Sequence, residues 1–468
     1  MTDLLKRPLT ELNLLAQRRE ISPVELMEAT LARIGARNGE LNAFVALREA
    51  SSLLAEARIA ERRIRRGEAR LLEGIPLGVK DVEHAEGLVT TYGCAPFRDN
   101  VAQRDSVQVE RLRAAGAIVV GKTNVPEFAA TAITKNLLFG ETRNPWNLER
   151  TPGGSSGGAA AAIAGGMIPL VTASDGGGSI RLPAAMTGCF GLKPSYGRVP
   201  FEGDGIWVIE DTSVRGPLTR TVEDAALHLD AVVGAHPLDP NSLPHPGVSY
   251  RQKLRDLPDG LRVGFSSDLG FAVVQSDVAD VVYDAARVFE ELGHRFEPVE
   301  DGIQGMGRDW GMVGGLEIWP KFADRVPEHE QEFGRAFLGG VRKAIRITPE
   351  RWGDIRRRRE ELNRWTAALF ERFDLLLTPT VPFDAAAARG PYPAETDGHP
   401  QPVAAVGSFT IPFNLTWHPA ATVRAGFSRA GLPVGLQIVG PRHRDDLVLQ
   451  AAWAFEQARP WRDDWPEA

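Results

Sequence analysis

Two serines and one lysine in this sequence have neighbours that suit nucleophilic chemistry. Ser155 lies in GGSSGG and Ser179 lies in GGGSIR, and Lys80 ends the apolar run Ile75–Val79. A serine hydroxyl is a weak nucleophile until a base removes its proton. A lysine, whose ordinary pKa is about 10.4, can be that base when burial disfavours its ammonium form. Taken singly, such serines are typical of turns and such a lysine of a strand end near water, so only their combination indicates catalysis.

The sequence around these residues alternates short apolar runs with helical patterns, which indicates an α/β fold. We expect buried strands at GIPLGVKDV (74–82) and GAIVVGKTN (116–124), with the helix QVERLRAAG (108–116) between them. Adjacent residues of a strand point to opposite faces, so the Asp81 side chain is expected to point away from Lys80. Lys80 is therefore predicted to lie at the tip of a buried strand without a carboxylate partner next to it.

Composition and charge exclude several classes of protein. The net charge of −7 over 468 residues argues against nucleic acid or an anionic membrane as a partner, since both bind basic surfaces. The two cysteines, Cys94 and Cys189, are interpreted as packing residues and favour a reducing compartment. The N-terminus lacks the apolar core of a signal peptide, and no apolar run is long enough to cross a membrane. We expect a cytoplasmic protein with no metal site.

Two short motifs suggest other enzymes but lack the required context. GAIVVGKT (116–123) matches the phosphate-binding P-loop, yet the residues between its glycines read as a strand and leave no turn to hold a phosphate. GGSSG (153–157) matches the nucleophile elbow of α/β-hydrolases, which follows a strand and needs a later histidine. A loop sequence precedes it, and His418 is the only downstream histidine with apolar neighbours. Nucleotide binding and a Ser–His–Asp triad are therefore disfavoured.

A longer set of motifs fits better. It runs from GIPLGVKD (74–81) through GGSSGGAAAAIAGG (153–166) to SDGGGSIRLPAAMTGCFGLKPSYGRVP (174–200). With these segments, in this order, the sequence resembles the amidase signature family over nearly its whole length. On grounds of size we expect one domain in which a helical section at about 275–372 packs over the sheet, and the resemblance implies that this is an amidase domain with a signature core at about 70–230. The implied fold is α/β, with a large, mostly mixed central sheet flanked by helices on both faces.

The resemblance also implies a Ser–Ser–Lys triad. Ser179 is the expected acylating nucleophile, Ser155 the bridging residue next to a cis peptide bond, and Lys80 the base. A neutral Lys80 would draw a proton from Ser155, which draws one from Ser179. The same relay in reverse would protonate the leaving nitrogen, which is the demanding step in amide cleavage.

The glycines before Ser179 have an expected role in the same mechanism. A tetrahedral intermediate carries an oxyanion that needs N–H donors at about 2.7–3.1 Å, and side chains would obstruct it. Asp175 and Arg181 are expected to pair and support this loop. Many family members carry threonine or isoleucine at the position of Gly176, so this glycine is expected to widen the acyl side of the pocket. The resemblance places the oxyanion hole at the N–H groups of Gly176, Gly177, Gly178 and Ser179.

The resemblance implies an amidase that hydrolyses carbon–nitrogen bonds of linear amides without a cofactor. The expected partner is a small-molecule amide, and the expected assembly is a monomer or a homodimer. A hydrophobic or aryl amide is favoured, with carbamates and esters within reach of the same chemistry. The alternative is the glutamine-hydrolysing subunit of a transfer-RNA amidotransferase. Residues that could wall the pocket, or equally belong to the core, are Trp207, Ile209, Trp310, Trp319, Phe409 and Trp417.

Overall fold

The computed structural model describes residues 4–201, 211–462 and 464–466. Its helices are α1 (Leu9–Gln17), α2 (Pro23–Leu41), α3 (Ala50–Arg66), α4 (Val107–Ala114), α5 (Gly157–Ala164), α6 (Arg181–Thr187), α7 (Val222–Val232), α8 (Tyr250–Lys253), α9 (Ser276–Ala286), α10 (Val288–Glu291), α11 (Gly307–Ile318), α12 (Val326–His329), α13 (Arg335–Ala344), α14 (Pro349–Arg372), α15 (Ile411–Leu415) and α16 (Asp445–Ala458). Its strands are β1 (Phe44–Leu47), β2 (Pro76–Lys80), β3 (Ile118–Thr123), β4 (Lys135–Asn136), β5 (Gly140–Glu141), β6 (Leu170–Val171), β7 (Ala173–Asp175), β8 (Phe190–Lys193), β9 (Val214–Gly216), β10 (Leu218–Thr219), β11 (Arg262–Phe265), β12 (Arg295–Pro298), β13 (Leu375–Pro379), β14 (Glu395–Thr396), β15 (His399–Pro400), β16 (Ala420–Phe427) and β17 (Pro433–Val439).

The larger sheet has seven strands in the order β10-β8-β16-β17-β13-β11-β12. β11 runs parallel to β12 and β13, whereas the other neighbouring pairs are antiparallel, so the sheet is mixed. Helices α6, α9 and α16 pack against its central strands β16 and β17. The apolar side chains between these layers form the largest buried cluster of the protein. The predicted α/β class, with a mixed sheet flanked by helices, is confirmed.

A second sheet of four strands carries the candidate lysine. Its order is β1-β3-β2-β6, with β2 parallel to both β3 and β6 and β1 antiparallel to β3. β2 and β3 are the two strands predicted from the apolar runs, and α4 is the helix predicted between them. β3 extends from Ile118 to Thr123, so the residues of the P-loop match form a strand, as the sequence indicates.

The N-terminal helices follow their sequence signals. Ser22 caps α2 by accepting a hydrogen bond from the Glu25 N–H, and the Glu25 carboxylate accepts one from the Ser22 N–H, which completes the capping box. The predicted helical cover at 275–372 contains α9 to α14 but also β12, which pairs with β11 at the edge of the larger sheet. The RFEP sequence of β12 is largely exposed and lacks the apolar alternation that marks a strand. The described part of the chain contains no helix long and apolar enough to cross a membrane.

Candidate active site

Lys80 lies at the end of β2 with its side chain completely buried. Its Nζ donates hydrogen bonds to Ser155 Oγ at 2.8 Å and to Ser174 Oγ at 2.9 Å, and it lies 3.3 Å from the Ser174 carbonyl oxygen. Burial lowers the pKa of Lys80 to about 7, although the carboxylates of Glu83 and Asp175 act in the opposite direction. A large fraction of Lys80 is therefore neutral at neutral pH.

The carboxylate next in sequence does not pair with Lys80. Asp81 accepts hydrogen bonds from Thr91, and its Oδ1 lies 3.5 Å from the Nζ of Lys122, which is also buried. The alternation of β2 thus separates the two side chains, as expected from the sequence. Because Asp81 is engaged by Lys122, the ammonium form of Lys80 gains no direct salt bridge from it.

Ser155 and Ser179 stand on two loops that contact each other. Ser155 is buried, follows the cis Gly154–Ser155 peptide bond and lies just before α5. Ser179 is half-buried and lies just before α6. The N–H of Ser156 donates a hydrogen bond to the Ser179 carbonyl oxygen at 3.2 Å. The structure thus brings the three expected triad residues to one place, with Ser155 in direct contact with Lys80.

Asp175 and Arg181 form a fully buried salt bridge beside this site. The guanidinium donates from Nε to Asp175 Oδ2 and from its terminal nitrogen to Oδ1, both at 2.9 Å. Burial alone would raise the pKa of the Asp175 carboxyl, but Arg181 and the amide of Asn414 hold it well below its usual range. Arg181 also donates to Gln437 of β17 at 2.8 Å. Through these hydrogen bonds of Arg181, the pair connects the glycine loop to the larger sheet.

The Asp175 carboxylate also sets the backbone of the glycine loop. Its Oδ1 accepts the Gly178 N–H at 2.7 Å, and its Oδ2 accepts the Ile180 N–H at 3.2 Å. The Gly178 N–H, one of the four expected oxyanion donors, is therefore engaged by a carboxylate. Within the described residues, the N–H groups of the other three expected donors have no hydrogen-bond acceptor; these are Gly176, Gly177 and Ser179.

Close packing explains why glycines are needed here. A Cβ on Gly177 would lie 2.6 Å from the Trp310 ring, a distance that real Cβ atoms do not show. Gly178 has a φ of 131°, and a Cβ there would lie 2.4 Å from Thr410 Oγ1. Both neighbours also donate hydrogen bonds to the loop: Trp310 Nε1 to the Gly176 carbonyl at 2.9 Å, and Thr410 Oγ1 to the Gly177 carbonyl at 2.7 Å. The sequence predicts extra space at Gly176. Ser213 limits that space, because a Cβ on Gly176 would lie 2.9 Å from the Ser213 Oγ.

The other expected pocket residues have different surroundings. Trp319 packs edge-on against Phe322, at the margin of an aromatic cluster. Phe409 is completely buried in a core cluster with Phe413, so it does not form an open wall. Trp417 stacks on Tyr196 at 4.7 Å and lines a surface cavity of about 630 Å³ together with several arginines. Trp207 and Ile209 lie outside the described residues.

The aromatic cluster beside Trp319 adjoins the candidate site. Its centre is Phe128, which stacks on Phe322 at 5.2 Å and on Phe337 at 4.9 Å. Ala132, four residues after Phe128, packs closely against the Ser155 loop. A Cβ on Gly154 would lie only 2.8 Å from the Ala132 backbone. The cluster therefore lies close to the Ser155 loop, but Phe128 and Phe322 are completely buried and belong to the core rather than to a pocket wall.

The alternative nucleophiles and bases do not fit. The Cys94 thiol donates to Glu127 at 3.3 Å, and burial raises its pKa far above the usual range. Burial also raises the pKa of Cys189, to about 11, so neither thiol is activated. His418 is buried, shares a hydrogen bond with Thr416 at 2.9 Å and stacks on Phe370. Burial lowers its pKa to about 3, and its partners are not the candidate serines. Within the described residues, no cluster of His, Cys, Asp and Glu could hold a metal ion.

The functional residues that the sequence analysis missed are polar side chains that fix the glycine loop. Asn414 of α15 donates to the Asp175 carbonyl oxygen at 3.0 Å, and Thr212 Oγ1 donates to the Gly176 carbonyl at 3.1 Å. Thr410 and Asn414 stand four residues apart in the otherwise apolar segment FTIPFNL. That spacing puts both on one side of a helical turn, and it is the one sequence signal that could have identified them.

The fold and the comparisons with known proteins identify the class of this protein as an amidase. The chain belongs to the amidase family, whose model matches residues 25–302 and 338–449, and it is a hydrolase of carbon–nitrogen bonds. It is similar to an acylamidase from Rhodococcus erythropolis, with 36% identity over 98% of this chain and 96% of the relative. It is also 36% identical to a glutamyl-tRNA(Gln) amidotransferase subunit from Moorella thermoacetica, over 98% of this chain and 97% of the relative. Among solved structures, a bacterial aryl acylamidase of the amidase signature family matches with a TM-score of 0.91 and 32% identity, over 97% of this chain and 96% of that chain.

Proposed function

We propose that this enzyme hydrolyses hydrophobic or aryl carboxamides through an acyl-enzyme on Ser179, with Ser155 as bridge and Lys80 as base. The buried hydrogen bond of 2.8 Å between Lys80 Nζ and Ser155 Oγ carries this proposal. When Lys80 is neutral, the same contact is made with the Ser155 hydroxyl donating to the nitrogen lone pair. A base whose pKa is about 7 is well matched to proton transfer at neutral pH.

The proposed reaction has two halves that share one proton relay. In acylation, the Ser179 oxygen attacks the amide carbon, its proton passes to Ser155, and the Ser155 proton passes to Lys80. The carbon–nitrogen bond then breaks while the proton returns from Lys80 through Ser155 to the leaving nitrogen, and the amine departs. In deacylation, water attacks the ester carbon and gives its proton to the same relay, which returns it to Ser179 as the acid leaves.

The backbone beside Ser179 would stabilise the charge that forms on the carbonyl oxygen. The N–H groups of Gly176, Gly177 and Ser179 have no acceptor within the described residues, so they can donate to an oxyanion. The N–H of Gly178 is held by Asp175 at 2.7 Å and is left out of the proposed hole. Donors fixed in advance in this way need no reorganisation during the reaction, which is the source of their large effect on rate.

The surroundings of the site support an apolar substrate. The ring of the half-buried Trp310 lies against Gly177. Flat apolar surfaces of this kind bind aromatic groups by contact and desolvation. The similarity to an acylamidase and to an aryl acylamidase supports the same substrate class. The same mechanism can hydrolyse carbamates and esters, because an acyl-enzyme also forms with other leaving groups.

A second candidate function is the hydrolysis of glutamine as one component of an amidotransferase. The equally high identity to the amidotransferase subunit from Moorella thermoacetica favours it. A free amino acid, however, carries an ammonium and a carboxylate, and each needs a polar or charged partner in a binding site. The charged side chains next to the glycine loop, Asp175 and Arg181, are paired with each other and completely buried, so they are not available to a free amino acid.

An assay of the purified chain separates the two candidates. It would measure the release of aniline from a panel of anilides and the release of ammonia from glutamine, with esters and carbamates of matched acyl groups alongside. The Ser179→Ala and Lys80→Ala variants, purified identically, report any contaminating amidase. We expect aniline release by the wild type alone and no ammonia from glutamine. Ammonia release without anilide cleavage would overturn the proposed substrate class.

A further inference from the structure

Two side chains from different parts of the chain donate to one carbonyl oxygen in the glycine loop. Trp310 Nε1 lies 2.9 Å from the Gly176 oxygen, and Thr212 Oγ1 lies 3.1 Å from it. Thr212 is buried and Trp310 is half-buried. A carbonyl oxygen has two lone pairs, so both donors can be accommodated. The orientation of the Gly176–Gly177 peptide is therefore set by its neighbours rather than by its own glycines.

Fixing this carbonyl also fixes the next N–H. A trans peptide unit is planar, and its C=O and N–H point in opposite directions. Since the Gly176 oxygen points toward Trp310 and Thr212, the Gly177 N–H points to the other side of the loop. The following peptide shows the same rule: the Gly177 oxygen accepts from Thr410 at 2.7 Å, and the Gly178 N–H points away from it, to Asp175 at 2.7 Å.

The helix that carries Trp310 is held by ion pairs to a buried carboxylate. Trp310 lies on α11 next to Asp309, whose side chain is almost completely buried and accepts hydrogen bonds from Arg351 and Arg358 of α14. These ion pairs join α11 to the long helix α14. The indole ring then rests on the Cα of Gly177, where a Cβ would lie 2.6 Å from it. The helical cover thus reaches the glycine loop through one fixed side chain.

We propose that Trp310 is a positioning residue that, together with Thr212, holds the Gly177 N–H toward the substrate oxyanion. The inference rests on the proposed acyl-enzyme mechanism, because it assigns the Gly177 N–H to that oxyanion. Glycine on both sides of the 176–177 peptide leaves it free to rotate when the donors are removed. A rotated peptide would direct the Gly176 oxygen, a hydrogen-bond acceptor, at the place where negative charge develops.

The expected effect of losing one donor is moderate, because the second remains. A hydrogen bond near the upper end of the usual net range contributes about 1.4 kcal/mol, which corresponds to roughly a 10-fold effect on a rate. Removing both donors should approach the loss of an oxyanion donor itself, about 100-fold or more in kcat. Binding of the ground-state substrate should change little, since its carbonyl carries no full charge.

Substitutions that keep shape and remove only the donor test the inference. Trp310→Phe keeps an aromatic ring on Gly177, Thr212→Val keeps the branched shape, and Thr212→Ser keeps the hydroxyl. We expect Trp310→Phe and Thr212→Val each to lower kcat about 10-fold with KM within about 2-fold, and the double variant to lose about 100-fold. Thr212→Ser should retain most of the wild-type kcat. Trp352→Phe, a partly exposed tryptophan on α14, is the matched control.

A binding measurement distinguishes positioning from a general effect on folding. An aryl boronic acid forms a tetrahedral adduct with the serine and so reports the oxyanion site, whereas the carboxylic acid product reports ground-state binding. We expect Trp310→Phe to weaken the boronate about 10-fold and leave product affinity within about 2-fold. Equal weakening of both ligands, or a changed melting temperature with unchanged kcat, would overturn the inference. An inactive wild type that binds no boronate at its serine would instead overturn the proposed function.

Discussion

The Nζ of Lys80 and the Oγ of Ser155, 75 residues apart in sequence, lie 2.8 Å apart, and both side chains are buried. Burial lowers the pKa of this lysine to about 7. A strand end, a loop with a cis peptide bond and the glycine loop meet here, so the three parts of the proposed relay come from separate elements. The contact between the lysine and the serine is the feature from which the proposed mechanism starts.

The pH dependence of kcat/KM should show a single acid limb. The neutral form of Lys80 is the proposed base, so activity rises as pH increases through about 7 and then reaches a plateau. A profile measured from pH 5 to 9 on a saturable anilide should have unit slope below the midpoint. A flat profile, or activity that falls as pH rises through 7, would contradict the role of the lysine as base.

The Ser174→Ala variant tests whether the acid limb of the pH profile belongs to Lys80. Ser174 Oγ accepts a hydrogen bond from the Lys80 Nζ at 2.9 Å, which favours the charged ammonium. Removing it in Ser174→Ala should lower the pKa of Lys80 and move the limb to lower pH, by about 0.5 to 1 unit for a hydrogen bond of about 1 kcal/mol. Lys193, whose pKa burial also lowers to about 7, donates to the Pro194 oxygen instead, so an unmoved limb would point to that second lysine.

The two glycines next to Trp310 should differ in their tolerance of alanine. In Gly177→Ala the new Cβ would lie 2.6 Å from an indole ring that its own hydrogen bond holds in place, so the loop must shift. We expect a loss of at least about 100-fold in kcat/KM, as for a displaced oxyanion donor. In Gly176→Ala the obstacle is the Ser213 hydroxyl at 2.9 Å, and we expect less than about a 10-fold loss because only one small side chain has to move.

Kinetics and unfolding of both variants check this contrast. The stability of Gly177→Ala should fall by about 1–3 kcal/mol, the usual result of forcing extra atoms into a packed site. Equal losses of activity in the two variants would show that the Trp310 contact does not decide which glycine is essential.

Breaking the Asp175–Arg181 pair should destabilise the whole protein. Both side chains are completely buried, so Asp175→Asn leaves the Arg181 charge without its partner, at a cost of about 3–5 kcal/mol. Urea unfolding of the variant and the wild type measures the difference. The control is Glu361→Gln, which removes an exposed partner of Arg357 and should leave the unfolding midpoint unchanged. A small effect of Asp175→Asn would show that the loop does not depend on this salt bridge.

The amino-acid sequence was sufficient for the fold class and for placing Lys80 at the end of a buried strand. The apolar runs before Lys80 and through GAIVVGKT predict two buried strands, and both are present as β2 and β3. Such runs are informative because a buried strand needs apolar side chains on both faces. The pairing expected for Asp175 and Arg181 also occurs in the structure.

What the sequence could not provide are contacts made across long separations by ordinary residues. Trp310 reaches Gly176 over 134 residues, and nothing local to either position indicates that meeting. Phe409 and Trp417 illustrate the converse. Both are among the residues that the sequence offers as a pocket wall, but one is completely buried in the core and the other lies beside surface arginines. Apolar character alone does not distinguish a pocket wall from a core position.

The most direct test of the account is the site of covalent labelling. A fluorophosphonate reacts with an activated serine and forms an adduct that mass spectrometry of the digested protein assigns to one residue. We predict labelling of Ser179 in the wild type, at least about 1000-fold slower labelling in Lys80→Ala, and none in Ser179→Ala, since the members of a relay act as a unit. Ser52→Ala, an exposed serine of α3, should label like the wild type. Labelling at another residue, or full amidase activity in Ser179→Ala, would contradict the account.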